Sequence, residues 1–271
     1  MRVLVSVDIE GVAGVSRPDQ TRAGAIDYDN ARRLMTAEAN AAIRGCFDAG
    51  ATDVLVADGH GGFGNLLPDL LDDRARLVHG KPRRFGMLEG LQEDCDAVML
   101  IGYHAMAGAS GVLAHTMSGL AFHRMWLNDR PVGEVALYAL LAGEHGVPIV
   151  LCSGDDALAG EVAHWLPKAQ RVVVKSAVGN RAAISVSPAK AAQMIAAGAQ
   201  MALADLTQAT PLTMAAPICC RVETKTLVQA DMFAMLPRSR RLDPLTVEFD
   251  ALTAGEVLGV LYLWAAAAST L

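Results

Sequence analysis

Apolar runs and helical stripes alternate along this chain from its first residues. Arg2 to Asp8 is a β-branched apolar run that predicts a buried strand. Asp27 to Ala49 follows as a helical segment with apolar positions at Ile26, Leu34, Ala39, Ile43 and Phe47, closed by Gly50. Thr52 to Ala57 predicts a second strand. Ala97 to Ile101 predicts a third, after a loop and a short helix near Met87 to Leu91, and Pro148 to Cys152 a fourth, after the helix Glu134 to Glu144. This order implies an α/β fold, a mostly parallel sheet flanked by helices with right-handed crossovers.

Val112 to Met117 and Arg124 to Leu127, between the third and fourth strands, read as an inserted extended excursion. Downstream, Ala157 to Leu166 predicts a helix, Arg171 to Lys175 a strand, Pro188 to Leu206 an alanine-rich helix capped by Ser187, and Ala216 to Thr226 another strand. Pro211, Pro217, Pro237 and Pro244 punctuate the last third. The expected organisation is a core over residues 1–176, a smaller α/β subdomain over 177–250, and a C-terminal helix over 251–271 packed on the core or at a subunit contact.

With 271 residues the chain can bury a large core without disulfides. Its five cysteines, Cys46, Cys95, Cys152, Cys219 and Cys220, have no framework spacing and sit mostly in apolar runs, as reduced thiols of a cytoplasmic protein do. Cys219 and Cys220 are expected to point to opposite faces of a strand. A net charge of −6 without a basic stripe gives no grip on a phosphate backbone, so nucleic acid is not expected as a partner. Met1 to Val7 is too short for a secretory apolar region, and Val257 to Ala268 falls short of the roughly 18 to 20 residues of a bilayer span; no membrane partner is expected.

Against that background four segments stand out: Ser6-Val7-Asp8-Ile9-Glu10-Gly11, Asp58-Gly59-His60, Gly102-Tyr103-His104-Ala105 and Val132-Gly133-Glu134. Each falls where a strand pattern meets a loop or helix, and the carboxyl ends of neighbouring parallel strands share one crevice. Asp8 and Glu10, two apart on an extended chain, project to one face, where like charges need a cation between them. Singly, each has a bland reading: Asp8 caps a turn, Glu10 is solvated, His60 is a loop residue, and Glu134 favours the positive end of its helix. His104, at the same topological position as His60, makes coincidence the harder account. Two imidazoles and three carboxylates suit zinc, and five ligands exceed the three protein ligands of a single catalytic zinc, so two ions sharing a carboxylate are expected, with short, strand-borne Asp8 as the bridge.

His115, eleven residues beyond His104, is open to three readings: a further ligand, a core residue, or an acid/base partner. Asp58 is a candidate to orient His60 or a metal-bound water. Asp155 and Asp156 read as helix N-caps.

The ordered motifs S-x-D-x-E-G, D-x-H, G-Y-H-A, the A-H-T-M-S run and N-D-R-P-V-G-E resemble the D-aminopeptidase family of dizinc metallopeptidases over nearly the whole chain. Arg33-Leu34-Met35-Thr36 with Glu38 and Asn40, Glu89-Gly90-Leu91, Gly154-Asp155-Asp156 and Ser187-Pro188-Ala189-Lys190-Ala191 fit the same pattern. The resemblance implies that Asp8, Glu10, His60, His104 and Glu134 bind two zinc ions with Asp8 shared, and that His115 is the catalytic side chain. It also implies cleavage of short peptides bearing an amino-terminal D-residue, such as D-Ala-D-Ala, by a cytoplasmic, ring-like homo-oligomer, with a decamer as the expected count. Gly61-Gly62-Phe63-Gly64 departs from the bulkier residues usual after the histidine, and the match weakens beyond about residue 205. Two other classes remain: a dimetal amidohydrolase acting on a non-peptide amide, and a metal-stabilised ring that binds peptides or a transporter without turnover.

Overall fold

The computed structural model describes residues 1–271. In chain order its elements are β1 (Arg2–Val7), α1 (Tyr28–Asp48), β2 (Asp53–Asp58), β3 (Arg76–Val78), β4 (Ala97–Ile101), β5 (Phe122–Leu127), β6 (Arg130–Pro131), α2 (Glu134–Glu144), β7 (Ile149–Asp155) and α3 (Asp156–Trp165). There follow β8 (Gln170–Gly179), β9 (Ala182–Ser185), α4 (Pro188–Leu203), β10 (Ile218–Thr224), α5 (Leu227–Phe233), β11 (Arg240–Arg241), β12 (Thr246–Ala251) and α6 (Ala254–Ala268).

Seven strands form one sheet in the order β3-β2-β1-β4-β7-β8-β9, parallel except for β9, which turns back on β8. The strand order reverses at β1. The chain leaves β1 toward β2 and β3 on one side, then returns to place β4 on the other, which makes the carboxyl ends of β1 and β4 a switch-point crevice. A second sheet of five strands, β11-β12-β10-β5-β6, is antiparallel throughout.

The parallel sheet is covered on both faces, which is why its strands read as unbroken apolar runs. Val3, Val5 and Val7 of β1 pack with α1 and α4 in one core, whereas Leu4 joins the other, which holds α2, α6 and the inner face of the antiparallel sheet. Gly45 lets α1 meet α4 closely: a Cβ there would lie 2.5 Å from the Ala196 carbonyl oxygen. Every residue of α2 from Glu134 to Gly143 is buried, as expected of a helix that is apolar all round.

Several expectations shift. Ile26 is 98% exposed; it precedes the helix, whose buried stripe is Ala31, Met35, Ala39, Ala42, Ile43 and Cys46. Val112 to Met117 lies outside any strand, whereas Arg124 to Leu127 belongs to β5 of the second sheet. Residue 177 lies within β8, and the segment from there to 250 contributes β9 and α4 to the parallel layer and β10, α5, β11 and β12 to the antiparallel one. Ser187 caps α4 by accepting the Lys190 amide, and Asp155 caps α3 by accepting that of Leu158. Cys220 is buried and Cys219 faces outward, and all five cysteines are free thiols. No helix is long and apolar enough to cross a membrane.

Candidate metal centre

The loops that leave β1 and β4 cross at hydrogen-bond distance. The Asp8 amide donates to the Ile101 carbonyl at 2.8 Å and the Gly11 amide to Gly102 at 2.7 Å. A Cβ on Gly11 would stand 1.9 Å from the Tyr103 oxygen, and Gly102 has φ +68°, so only glycine lets Glu10 and His104 be delivered this close. Glu134 opens α2 after Gly133, and its Oε1 accepts the Met117 amide at 2.6 Å. That bond ties the helix start to the segment carrying His115.

His60 follows β2. Asp58 does not orient its ring, the first of its two expected roles; its carboxylate instead accepts the amides of His60 and Leu66 and the side chain of Asn65, which shapes the glycine-rich loop. The ring is oriented by Thr21, whose carbonyl accepts from His60 Nε2 at 2.6 Å. A carbonyl only accepts, so Nε2 carries a hydrogen, and Nδ1 is the nitrogen left to face the carboxylates.

The six residues singled out in the sequence gather into one cluster with two halves. His60 Nδ1 lies 3.2 Å from Asp8 Oδ1 and 3.1 Å from Glu10 Oε2. His104 Nε2 lies 3.4 Å from Asp8 Oδ2 and 3.3 Å from Glu134 Oε1. Asp8 thus turns one oxygen to each histidine. His104 Nδ1 donates to the Ala105 carbonyl, which leaves Nε2 for the cluster. The His115 ring stacks on His104 with centroids 4.0 Å apart, and its Nδ1 donates to the Leu113 carbonyl at 2.9 Å.

Asp8, Glu10, His104 and Glu134 are each at most 4% exposed, so their charges interact strongly. Burial, then neighbouring Glu10, pushes the Asp8 carboxyl up to about 7. Burial acts upward on Glu10 too, but the His60 imidazole outweighs it and holds that carboxyl well below the usual range. His104 is drawn down by burial, yet Glu134 and Asp8 carry it up to about 10. His115 is held below the ordinary imidazole value by burial and by His104. In the protein alone, protons must do the work of a cation between these carboxylates.

Glu10 Oε2 and His104 Nε2 are buried without a hydrogen-bond partner, and one belongs to each half. Such orphaned atoms are costly unless something binds them. Two imidazole nitrogens and carboxylate oxygens are the donor set that zinc takes, and the groups Asp8, Glu10, His104 and His104, His115, Glu134 each offer atoms within 4.8 Å of one another. The residues fit the metal.

Three buried charges beside the cluster had no role assigned from sequence. Glu161 of α3 accepts the Met106 amide at 2.9 Å, and Glu38 of α1 accepts that of Ala13 at 2.8 Å. Lys175, at the end of the run Arg171-Val172-Val173-Val174, is 2% exposed. The signal was a charge on an otherwise buried face: Glu161 shares that face with Leu158, Val162 and Trp165, and Glu38 with Met35 and Ala39.

A sequence model described as D-aminopeptidase matches residues 1–263. A D-aminopeptidase of Bacillus subtilis (strain 168) is 34% identical over 254 residues, covering 93% of this chain and 92% of the relative. Among solved structures, the zinc-dependent D-aminopeptidase DppA from Bacillus subtilis, described as a self-compartmentalizing protease, superposes with a TM-score of 0.96. It is 31% identical, over 99% of this chain and 98% of that one.

Proposed function

The chain belongs to the D-aminopeptidase family, and on that premise we propose that it is a zinc-dependent aminopeptidase that releases the first residue of short peptides with a D-amino acid at the amino terminus. Asp8, Glu10, His60, His104 and Glu134 would hold two zinc ions, His60 with Glu10 in one half, His104 with Glu134 in the other, and Asp8 in both. The observation that carries this reading is the orientation of Asp8, whose Oδ1 and Oδ2 face different histidines.

Zinc held there supplies Lewis acidity toward a scissile carbonyl and acidifies water. His115 is the proton carrier. Its Nδ1 is committed to the Leu113 carbonyl, so Nε2 is the atom free to take a proton and pass it to the leaving amine. A depressed pKa keeps that nitrogen unprotonated near neutrality. Stacking on His104 fixes the ring plane, and the Glu134 bond to the Met117 amide fixes the segment behind it.

The relative's description as self-compartmentalizing supports a ring-like homo-oligomer, and we take a decamer as its size. Five free thiols support a reducing, cytoplasmic setting.

The test is the initial rate of zinc-loaded protein on D-Ala-D-Ala, L-Ala-L-Ala and N-acetyl-D-Ala-D-Ala, with a chelated control. Cleavage of the first alone, lost on chelation, is expected. Cleavage of the acetylated peptide would move the protein to a general dimetal amidohydrolase, because a blocked amine cannot be anchored. Silence on these and on longer D-peptides would favour binding without turnover.

A further inference from the structure

Of the two proposed ligands that follow β1, Glu10 has less support from regular structure than Asp8. Asp8 is bonded into the sheet through Ile101, and Glu134 lies in the first turn of α2. Glu10 comes after β1 has ended, on a loop that leaves the sheet toward Val15. Lys175 holds that loop from the far side. Its Nζ donates to the carbonyls of Glu10 at 2.5 Å, Val12 at 3.0 Å and Val15 at 2.6 Å. An ammonium has three N–H groups, so every one is spent on this loop and none is left for substrate or water. Glu38 takes the Ala13 amide of the same loop.

Burying an ammonium is costly, and an apolar residue of similar length would satisfy the packing at this point of β8. What methionine could not do is collect three carbonyls and turn the Glu10 backbone so that its carboxylate reaches His60. Nothing comparable joins Lys175 to the other half: His104 follows β4 on a loop whose Gly102 and Tyr103 amides donate to Ser153, Glu134 lies in α2, and the buried carboxylate beside them is Glu161, which accepts the Met106 amide.

We propose that Lys175 is a positioning residue for Glu10 and that, with Glu38, it sets the zinc affinity of the half built by His60 and Glu10, while the half built by His104 and Glu134 does not depend on it. This rests on the two-zinc reading above.

The experiment is a zinc titration against a chromophoric chelator, with thermal unfolding of the same samples, for the wild-type chain, Lys175→Met and Glu38→Leu. Wild-type protein should bind two zinc ions per chain; one or none would defeat the two-zinc reading without touching Lys175. Given two, Lys175→Met should weaken one ion roughly 10- to 100-fold, the range for losing a residue that orients a ligand, and leave the other within about threefold. Glu38→Leu should weaken the same ion, and Co(II) substituted at one equivalent should give the same visible spectrum in both variants. Equal loss at both sites, or a lowered melting temperature with both affinities intact, would make Lys175 a general anchor and overturn the proposal. If Lys175→Met does not fold, Glu38→Leu decides, because it frees the same loop with the lysine in place; two unchanged affinities there refute it.

Discussion

The two sheets pack on a shared core yet expose themselves in different ways. Both faces of the parallel sheet are covered, by α1 and α4 on one side and by α2, α6 and the second sheet on the other, so its strand ends are what remain for chemistry, and Asp8, His60 and His104 sit there. The antiparallel sheet has one covered face. Ile218, Cys220, Val222 and Thr224 of β10 point inward, while Arg221 and Glu248 meet on the outer side, with Arg240 and Asp250 extending the ionic ladder. Charges at the carboxyl ends of the first layer's strands are buried together; on the outer face of the second, half-buried Arg221 and exposed Arg240 and Asp250 pair around the buried Glu248. The same residue types therefore serve a site in one layer and solvation in the other, and depth decides which.

The largest expected effect belongs to the parallel layer. His115→Ala should lower kcat by about 10²- to 10⁴-fold, the span of general acid–base catalysis, with zinc content unchanged by metal analysis. Retained turnover would remove His115 from the mechanism and leave the strand ends with metal ligands alone.

A stability effect without a catalytic one belongs to the antiparallel layer. Phe233 is fully buried, stacked on Trp264 at 4.7 Å and tilted against Phe122 at 6.0 Å. Phe233→Ala should cost about 3–5 kcal/mol in a denaturant titration while kcat per folded chain holds. A fall in kcat matching that at His115 would erase the distinction between the layers.

The smallest effect is one of sign. Burial first of all raises Glu161 from its ordinary 4.5 to about 7, so the folded chain holds a proton there that the unfolded chain releases. Its contribution is intact below about pH 4.5 and is lost as pH rises through 7, a change on the order of 3 kcal/mol. Glu248 is pushed up by burial, but Arg240 and Arg221 outweigh that and hold it low. Its contribution is present above the ordinary glutamate value and lost as pH falls. Melting curves in chelator should show Glu161→Gln flattening the decline between pH 5 and 7, and Glu248→Gln reducing stability only above that lower range. Slopes of one sign would contradict the contrast in burial.

Much of the first layer was legible because a strand buried on both faces and a helix with an apolar stripe write themselves locally. The runs at β1, β2 and β4 and the bounds of α2 follow from residues adjacent in sequence. The second layer was harder. β12 and α5 were not anticipated, and β5 read as an excursion, because its strand character depends on β10, paired through Leu127 with Cys220, nearly a hundred residues away. The part of Asp58 toward the His60 ring was illegible for a related reason: the partners of its carboxylate are loop amides whose positions no spacing reveals.

What the sequence determined by itself is the set of chemically unusual strand ends, since side-chain type and apolar period are properties of neighbours along the chain. Tertiary structure alone decided that Asp8 turns one oxygen to each histidine, that Thr21 rather than Asp58 sets the His60 ring, and that Lys175 reaches back to the Glu10 loop across 165 residues. Those contacts depend on which strands lie side by side, and that order is fixed by the burial of the whole sheet between two cores.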